Sequence, residues 1–224
     1  MAAHFLVSPP SQSAFSTLDA LRQWDRFTET LGCAGDVALH EMQSGDDAPR
    51  RVFVANGALI VGKLAILSSF RGPEQKPEQA ICRQALARAG LATTCLPQTY
   101  FEGAADTLFD RVRPFCYAGY GWHTERSATL QLQEVVGCRV LPLMLIDQQF
   151  SHLNTALCPL ASGHALVHMP AFSPHAQTLL RRSISSEHLI DIDIDDALGL
   201  ACNAVEIGDA LVFHRVSRKS YARV

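Results

Sequence analysis

The sequence lacks a long apolar run. The longest, Val140 to Ile146, falls far short of the roughly 18 residues a membrane-spanning helix needs, and the N-terminus has no charged segment leading into an apolar core. Positive charge is also scarce. The formal net charge is -3 at pH 7 and the pI is near 6.3, so apart from Arg215-Val216-Ser217-Arg218-Lys219 there is no electrostatic footprint for nucleic acid or anionic lipid. No Cys-x-x-Cys pair occurs. The seven cysteines sit singly, most of them in apolar segments, and read as reduced core thiols rather than as a disulfide framework or a zinc site. No Pro/Ser-rich linker divides the 224 residues, so a single domain, 1–224, is expected. These absences point to a cytoplasmic protein that meets a small molecule or another protein, with no metal and no cofactor.

What is present is a repeat. Asn56-Gly57-Ala58-Leu59-Ile60-Val61-Gly62-Lys63-Leu64-Ala65-Ile66-Leu67 and Asn203-Ala204-Val205-Glu206-Ile207-Gly208-Asp209-Ala210-Leu211-Val212-Phe213-His214 share one template. A polar leading residue opens an apolar strand, a Gly turn follows, and a second apolar strand completes a β-hairpin. Asn154 to His168 repeats the template with its turn at Ser162-Gly163, and Asp106 to Gly119 repeats it with a longer turn around Arg111 to Pro114. The leading positions 56, 106, 154 and 203 recur about every fifty residues, the mark of a repeat architecture.

After each of the first three hairpins the apolar period lengthens to that of a helix. Helices are expected over Pro77 to Ala89, Thr124 to Val136, and from Pro174, capped by Ser173, to about Arg182. Each is followed by a strand: Leu91 to Leu96, Arg139 to Ile146 and Leu189 to Ile194. The N-terminal segment adds a strand (His4 to Val7), a helix (Leu18 to Leu31) and a strand (Val37 to Met42). Units of hairpin, helix and strand cannot bury both faces alone, and would close into a ring with helices outside and strand ends around a central channel.

In Phe150-Ser151-His152-Leu153-Asn154-Thr155-Ala156 a histidine and an amide stand two residues apart at the opening of an apolar segment. At strand spacing their side chains point the same way. Glu102 and Asp106, in Phe101-Glu102-Gly103-Ala104-Ala105-Asp106, lie one repeat earlier, and Asn56 one repeat before that. Asn56, Glu102, His152 and Asn154 are therefore expected at one channel mouth.

These residues resemble the guanidine-modifying, or pentein, superfamily of arginine deiminases, amidinotransferases and dimethylarginine dimethylaminohydrolases, and in particular its arginine dihydrolase-like branch. Val52-Phe53-Val54-Ala55-Asn56 looks like that branch's Phe-Thr-Ala-Asn motif, Phe101 to Asp106 like Phe-Glu-Gly-[Ala/Gly]-[Gly/Asp]-Asp, and His152-Leu153-Asn154-Thr155 like His-Leu-Asp-Thr. Ala201-Cys202-Asn203-Ala204-Val205 with Gly208-Asp209 looks like the branch's C-terminal hairpin. The resemblance covers nearly the whole chain and implies a five-bladed α/β propeller.

It also implies a chemistry in which a cysteine thiolate attacks the guanidinium carbon, a histidine acts as general acid and base, and carboxylates hold the cation. A guanidinium is a planar cation of very high pKa, so paired acceptors must bind and polarise it. By the motif match His152 is the acid/base and Glu102 the orienting carboxylate. Asn56, Asp106 and Asn154 contact substrate, with Asn154 standing where the family has an aspartate. His123, in Tyr120-Gly121-Trp122-His123-Thr124-Glu125, stands where relatives usually carry an arginine that pairs with the substrate carboxylate.

The family's nucleophile follows a further helix and strand after the Ala-Cys-Asn-Ala-Val hairpin. By the repeat that helix would begin at about position 222, and the sequence ends at Val224. The expectation is an incomplete last blade without the nucleophile. Cys202 is the one candidate thiol near a strand opening, although it matches a structural position of the family. Two readings follow: an amidinotransferase- or dihydrolase-like protein acting on or binding the guanidino group of arginine or a relative, and a catalytically silent propeller that binds a small ligand or a protein. The expected partner is a small guanidino compound, with a homodimer left open and with neither nucleic acid nor membrane.

Two further patterns carry no site. His164 and His168 have the spacing of a zinc-binding helix, but in the expected strand they would stand about 13 Å apart. Asp191-Ile192-Asp193-Ile194-Asp195-Asp196 lacks the Gly and Glu of a calcium loop and reads as a strand with a solvated acidic face.

Overall fold

Alternating apolar residues draw Ala3–Val7 (β1) and Val37–Glu41 (β2) into a parallel pair, joined by the amphipathic helix Leu18–Ala34 (α1). The structure, a computed structural model, describes residues 2–10, 18–42 and 49–222. Val224, on which the expectation of an incomplete blade turned, lies outside them. The helix α1 runs through Gly32 instead of ending before it.

The repeat then appears three times over. Ala58–Val61 (β3) and Leu64–Leu67 (β4) form an antiparallel hairpin, and Lys76–Arg88 (α2) leads to Ala92–Cys95 (β5), parallel to β4. Thr107–Phe109 (β6) and Phe115–Tyr120 (β7), Arg126–Val136 (α3) and Arg139–Met144 (β8) repeat the arrangement. So do Leu157–Pro159 (β9), Ala165–Val167 (β10), Pro174–Ser183 (α4) and Leu189–Asp191 (β11). After the short helix Ile194–Leu198 (α5) come the hairpin Val205–Ile207 (β12) and Ala210–Val212 (β13) and the turn of helix Arg218–Tyr221 (α6). Among the described residues the strands fall into five separate sheets, one per unit of the α/β propeller. The last unit touches the first where α1 packs on β13.

Local chemistry explains the helix ends. The Ser173 side chain accepts from the Ala176 amide and Pro174 occupies the first turn of α4. Gly137 closes α3 in the left-handed region at φ 69°, where a Cβ would be strained. The helices α2 and α3 each lay an apolar face on their own sheet, while α4 also reaches β8 of the preceding unit. Cys82 and Leu86 of α2 join Ala65 and Leu67, and Ala128 and Leu132 of α3 join Phe101 and Cys116. A side chain such as Leu132, fully buried, contributes about 1.5–3 kcal/mol.

One expected strand is shorter than its pattern suggests. Leu189 to Ile194 was expected as one strand with a solvated acidic face, but β11 ends at Asp191. The Asp193 side chain then accepts from the Asp196 amide at 3.1 Å and starts α5. Asp196 is buried, accepting from Ser217 N at 2.8 Å and Ser217 Oγ at 2.6 Å, and also from Ser220 Oγ. Burial opposes its charge, yet the Ser217 and Ser220 hydrogen bonds prevail and hold its carboxyl below the ordinary aspartate value. His164 and His168 likewise flank β10 instead of lying within it.

Gly103 marks the place where one blade leans on the next. It sits at φ +54°, and a Cβ there would lie 2.7 Å from the Ala55 carbonyl oxygen and 2.8 Å from backbone atoms of Ala58. Both the conformation and the backbone contact exclude a side chain. Gly103→Ala is expected to lower stability by about 2 kcal/mol or more, measured by urea denaturation; an unchanged midpoint would show that the two blades do not meet this closely.

Candidate functional site

Three of the blades present their polar leading residues at a short 3-10 turn just before the first strand. The turns Val54–Asn56, Gly103–Ala105 and Leu153–Thr155 precede β3, β6 and β9. The second of them touches both the first and the third. Side chains that the sequence separates by 46 and 96 positions thereby come into hydrogen-bond contact.

Asp106 is the fixed point. It is fully buried, and its Oδ1 accepts from the Leu153 amide at 3.1 Å while Oδ2 accepts from Thr124 Oγ1 at 2.6 Å. Thr124 Oγ1 in turn accepts from the Glu102 amide at 3.0 Å. One carboxylate and one hydroxyl thus hold the backbones at the second and third turns. The helical pattern counts Thr124 as the first residue of a helix and gives it no site role; α3 in fact begins at Arg126, with Glu125 at the cap position.

His152 stands on this support. Its Nδ1 lies 3.2 Å from Asp106 Oδ1, and its Nε2 lies 3.0 Å from Asn56 Nδ2. An amide nitrogen can only donate, so in the neutral ring Nε2 accepts and Nδ1 carries the proton to Asp106. Burial disfavours the imidazolium, but the hydrogen bond and charge of Asp106, with the charge of Glu102, outweigh it and raise the His152 pKa above the ordinary histidine value.

Glu102 is 1% exposed, and the groups facing it are an amide and two imidazoles. Asn56 Nδ2 donates to its Oε2 at 3.1 Å, His152 Nε2 lies 3.6 Å from the same oxygen, and His123 Nδ1 lies 3.2 Å from Oε1. The His123 ring stacks on His152 with centroids 4.1 Å apart, and its Nε2 reaches Ser151 Oγ at 3.2 Å. A buried carboxylate with one face toward a half-exposed imidazole can receive a planar cation.

The structure thus brings together Asn56, Glu102, Asp106, His123 and His152. Asn154 Nδ2 donates to Asn203 Oδ1 at 3.4 Å, joining the fourth and fifth blades. Cys202 is buried among Leu153, Leu157 and their neighbours. Burial, followed by the nearby Cys158, pushes its thiol far above the usual value, so it stays protonated. Burial alone lifts Cys82 to about 11, and burial first, then Cys138, lifts Cys116 to about 12. The cluster of Glu102, His123 and His152 includes no cysteine sulfur.

No protein-family model matches the chain. It is 34% identical over 200 residues, 89% of its length, to the bifunctional arginine dihydrolase/ornithine cyclodeaminase ArgZ of Synechocystis sp., and spans 28% of that protein. It is 33% identical over 190 residues to the N(G),N(G)-dimethylarginine dimethylaminohydrolase of Mycobacterium tuberculosis, covering 84% of the chain and 61% of the relative. A solved N-terminal domain of ArgZ, a mutant bound to substrate, superposes with a TM-score of 0.91 at 30% identity over 98% of this chain and 86% of that one. An α/β propeller with a carboxylate and a carboxylate-bound histidine at its blade openings defines a class, the guanidine-modifying superfamily. The chain belongs to it, within the arginine dihydrolase/ornithine cyclodeaminase branch and related to the dimethylarginine dimethylaminohydrolases.

Proposed function

We propose that this chain binds the guanidino group of arginine or a related compound against Glu102. The observation that carries the proposal is the buried Glu102 carboxylate beside a histidine fixed on Asp106. A guanidinium entering there would exchange the amide of Asn56 for two parallel N–H donors, the arrangement a carboxylate accepts best. In this reading Asn56 and His123 line the approach, Asp106 acts through His152, and His152 with its proton on Nδ1 offers Nε2 as the acid/base atom. Asn154, bonded to Asn203, stands with Asn56 and His123 as a further substrate contact. The solved relatives include an N-terminal domain of ArgZ bound to substrate, described as an arginine dihydrolase.

Binding without turnover is expected of the 224-residue chain. Covalent attack on a guanidinium needs a thiolate beside the acid/base histidine, and the cluster of Glu102, His123 and His152 includes no cysteine sulfur, while Cys82, Cys116 and Cys202 are buried in the core. Calorimetric titration with arginine, agmatine and methylarginines should give heats of binding, and an assay of ammonia, ornithine and citrulline should give none of these products. Turnover that disappears in Cys202→Ser would reverse the assignment of that cysteine to the core.

The second reading, a silent propeller binding a different ligand or a protein, is favoured by the half-exposed His123 at a position where relatives usually carry an arginine. It would be preferred if no guanidino compound bound. Among the described residues no helix is long and apolar enough to cross a membrane.

A further inference from the structure

Glu102, His123 and His152 are also disposed as metal ligands. One carboxylate oxygen and one ring nitrogen from each histidine all lie within 4.8 Å of one another. His123 Nδ1 lies 3.2 Å from one Glu102 oxygen, Oε1, and His152 Nε2 3.6 Å from the other, Oε2, close to the spacing of about 3.3–3.6 Å between ligand atoms of a tetrahedral ion with bonds of about 2.0–2.2 Å, so the carboxylate can offer one oxygen or both to a shared ion.

The outer nitrogens carry a second, independent sign. A metal-bound imidazole normally gives its other N–H to a carboxylate or similar acceptor, which fixes the tautomer and strengthens the ligand. Both rings have that partner: His152 Nδ1 faces Asp106 Oδ1 at 3.2 Å and His123 Nε2 faces Ser151 Oγ at 3.2 Å. A serine hydroxyl can accept as readily as donate, so His123 can free its Nδ1 by placing its proton on Nε2. Asn56 Nδ2, meanwhile, bridges Glu102 Oε2 and His152 Nε2, so its positive edge already occupies the gap between two of the three ligand atoms.

We propose that Glu102, His123 and His152 bind one divalent transition-metal ion of the zinc class, and that this ion excludes a guanidinium from Glu102. Two imidazoles and one carboxylate suit zinc, cobalt, nickel or copper, whereas magnesium and calcium require mainly oxygen ligands. The two rings lie 13° from parallel, so their lone pairs run side by side. Convergence on one ion requires a ring to turn. His123 is the one that turns, because its side chain is 32% exposed against 17% for His152, which Asp106 fixes from behind. Sequence spacing gives no hint of this set, since Glu102 and His123 belong to one repeat and His152 to the next.

The test is a titration of Co²⁺ into the chelator-treated 224-residue chain without any guanidino compound, so it is independent of the proposed ligand. One equivalent should bind, with the visible absorption of a low-coordinate cobalt site and no thiolate-to-cobalt charge-transfer band. Ser151→Ala should weaken binding about tenfold, and His123→Gln should weaken it further. The double variant His4→Gln/His40→Gln removes the exposed histidine pair, 2.9 Å apart, and should leave binding unchanged. A thiolate band, or affinity unaffected by His123→Gln in protein shown by circular dichroism to be folded, would overturn the proposal. Arginine or agmatine added to the cobalt complex should displace the ion; guanidino binding with no cobalt binding would leave the proposed function standing and remove the metal.

Discussion

Replacing Asp106 with alanine is expected to cost about 3–5 kcal/mol of folding stability, the range for breaking a buried charged network by removing one partner. The loss strands the Leu153 amide, the Thr124 hydroxyl and the His152 ring at once. For a chain of this size each kcal/mol lowers Tm by about 2–4 °C, so the variant should melt about 6–20 °C below the parent. The penalty should also depend on pH. The His152 pKa is raised in the folded protein, so the stability its pairing supplies is full below the unfolded value of about 6.5 and is lost as pH rises through the higher folded value. The difference between parent and Asp106→Ala should therefore be larger at about pH 6 than at about pH 9. A difference that stayed flat across that range would show that His152 is not charged against Asp106.

Glu102→Gln should have the largest effect on binding. The substitution keeps the volume and removes the charge, leaving a buried guanidinium without its counter-ion. Truncating one partner of a buried, hydrogen-bonded charge pair costs about 2–5 kcal/mol, so the Kd for a guanidino ligand should rise about 30-fold or more. Calorimetry on protein of unchanged circular dichroism decides it. An unchanged Kd would move the ligand away from this carboxylate and favour the silent-propeller reading.

The periodic features of the fold were legible in the sequence because they are local. Two-residue alternation around Gly62 and Gly208 and the helical period between Lys76 and Arg88 determine the hairpins and α2 within a few residues. The proximity of Asn56, Glu102 and His152 was legible for a related reason, since equivalent positions of a repeat meet at one end of a ring. Failures came where a side chain answers to a distant partner. Nothing in Asp191 to Asp196 shows that Asp196 turns inward to Ser217 and Ser220, and alternation alone then reads as strand. The bond from Asn154 to Asn203 in the next blade is likewise invisible to spacing. The contact of His123 with Glu102 depends on the path of the 121–125 loop, which no periodicity describes.

The three turns that carry the site belong to three different repeat units, and no unit contains more than part of it. A chain with only one blade folded has no Glu102–Asn56 or Asp106–His152 bond, whatever its secondary structure. The site should therefore appear late in folding, after the contacts of high sequence separation that slow a chain. Opening any one of the three blades should also dissolve it. A ligand or ion held at Glu102 then acts as a clamp on all three, and amide hydrogens of β3, β6 and β9 should gain protection from exchange by the same factor when it binds.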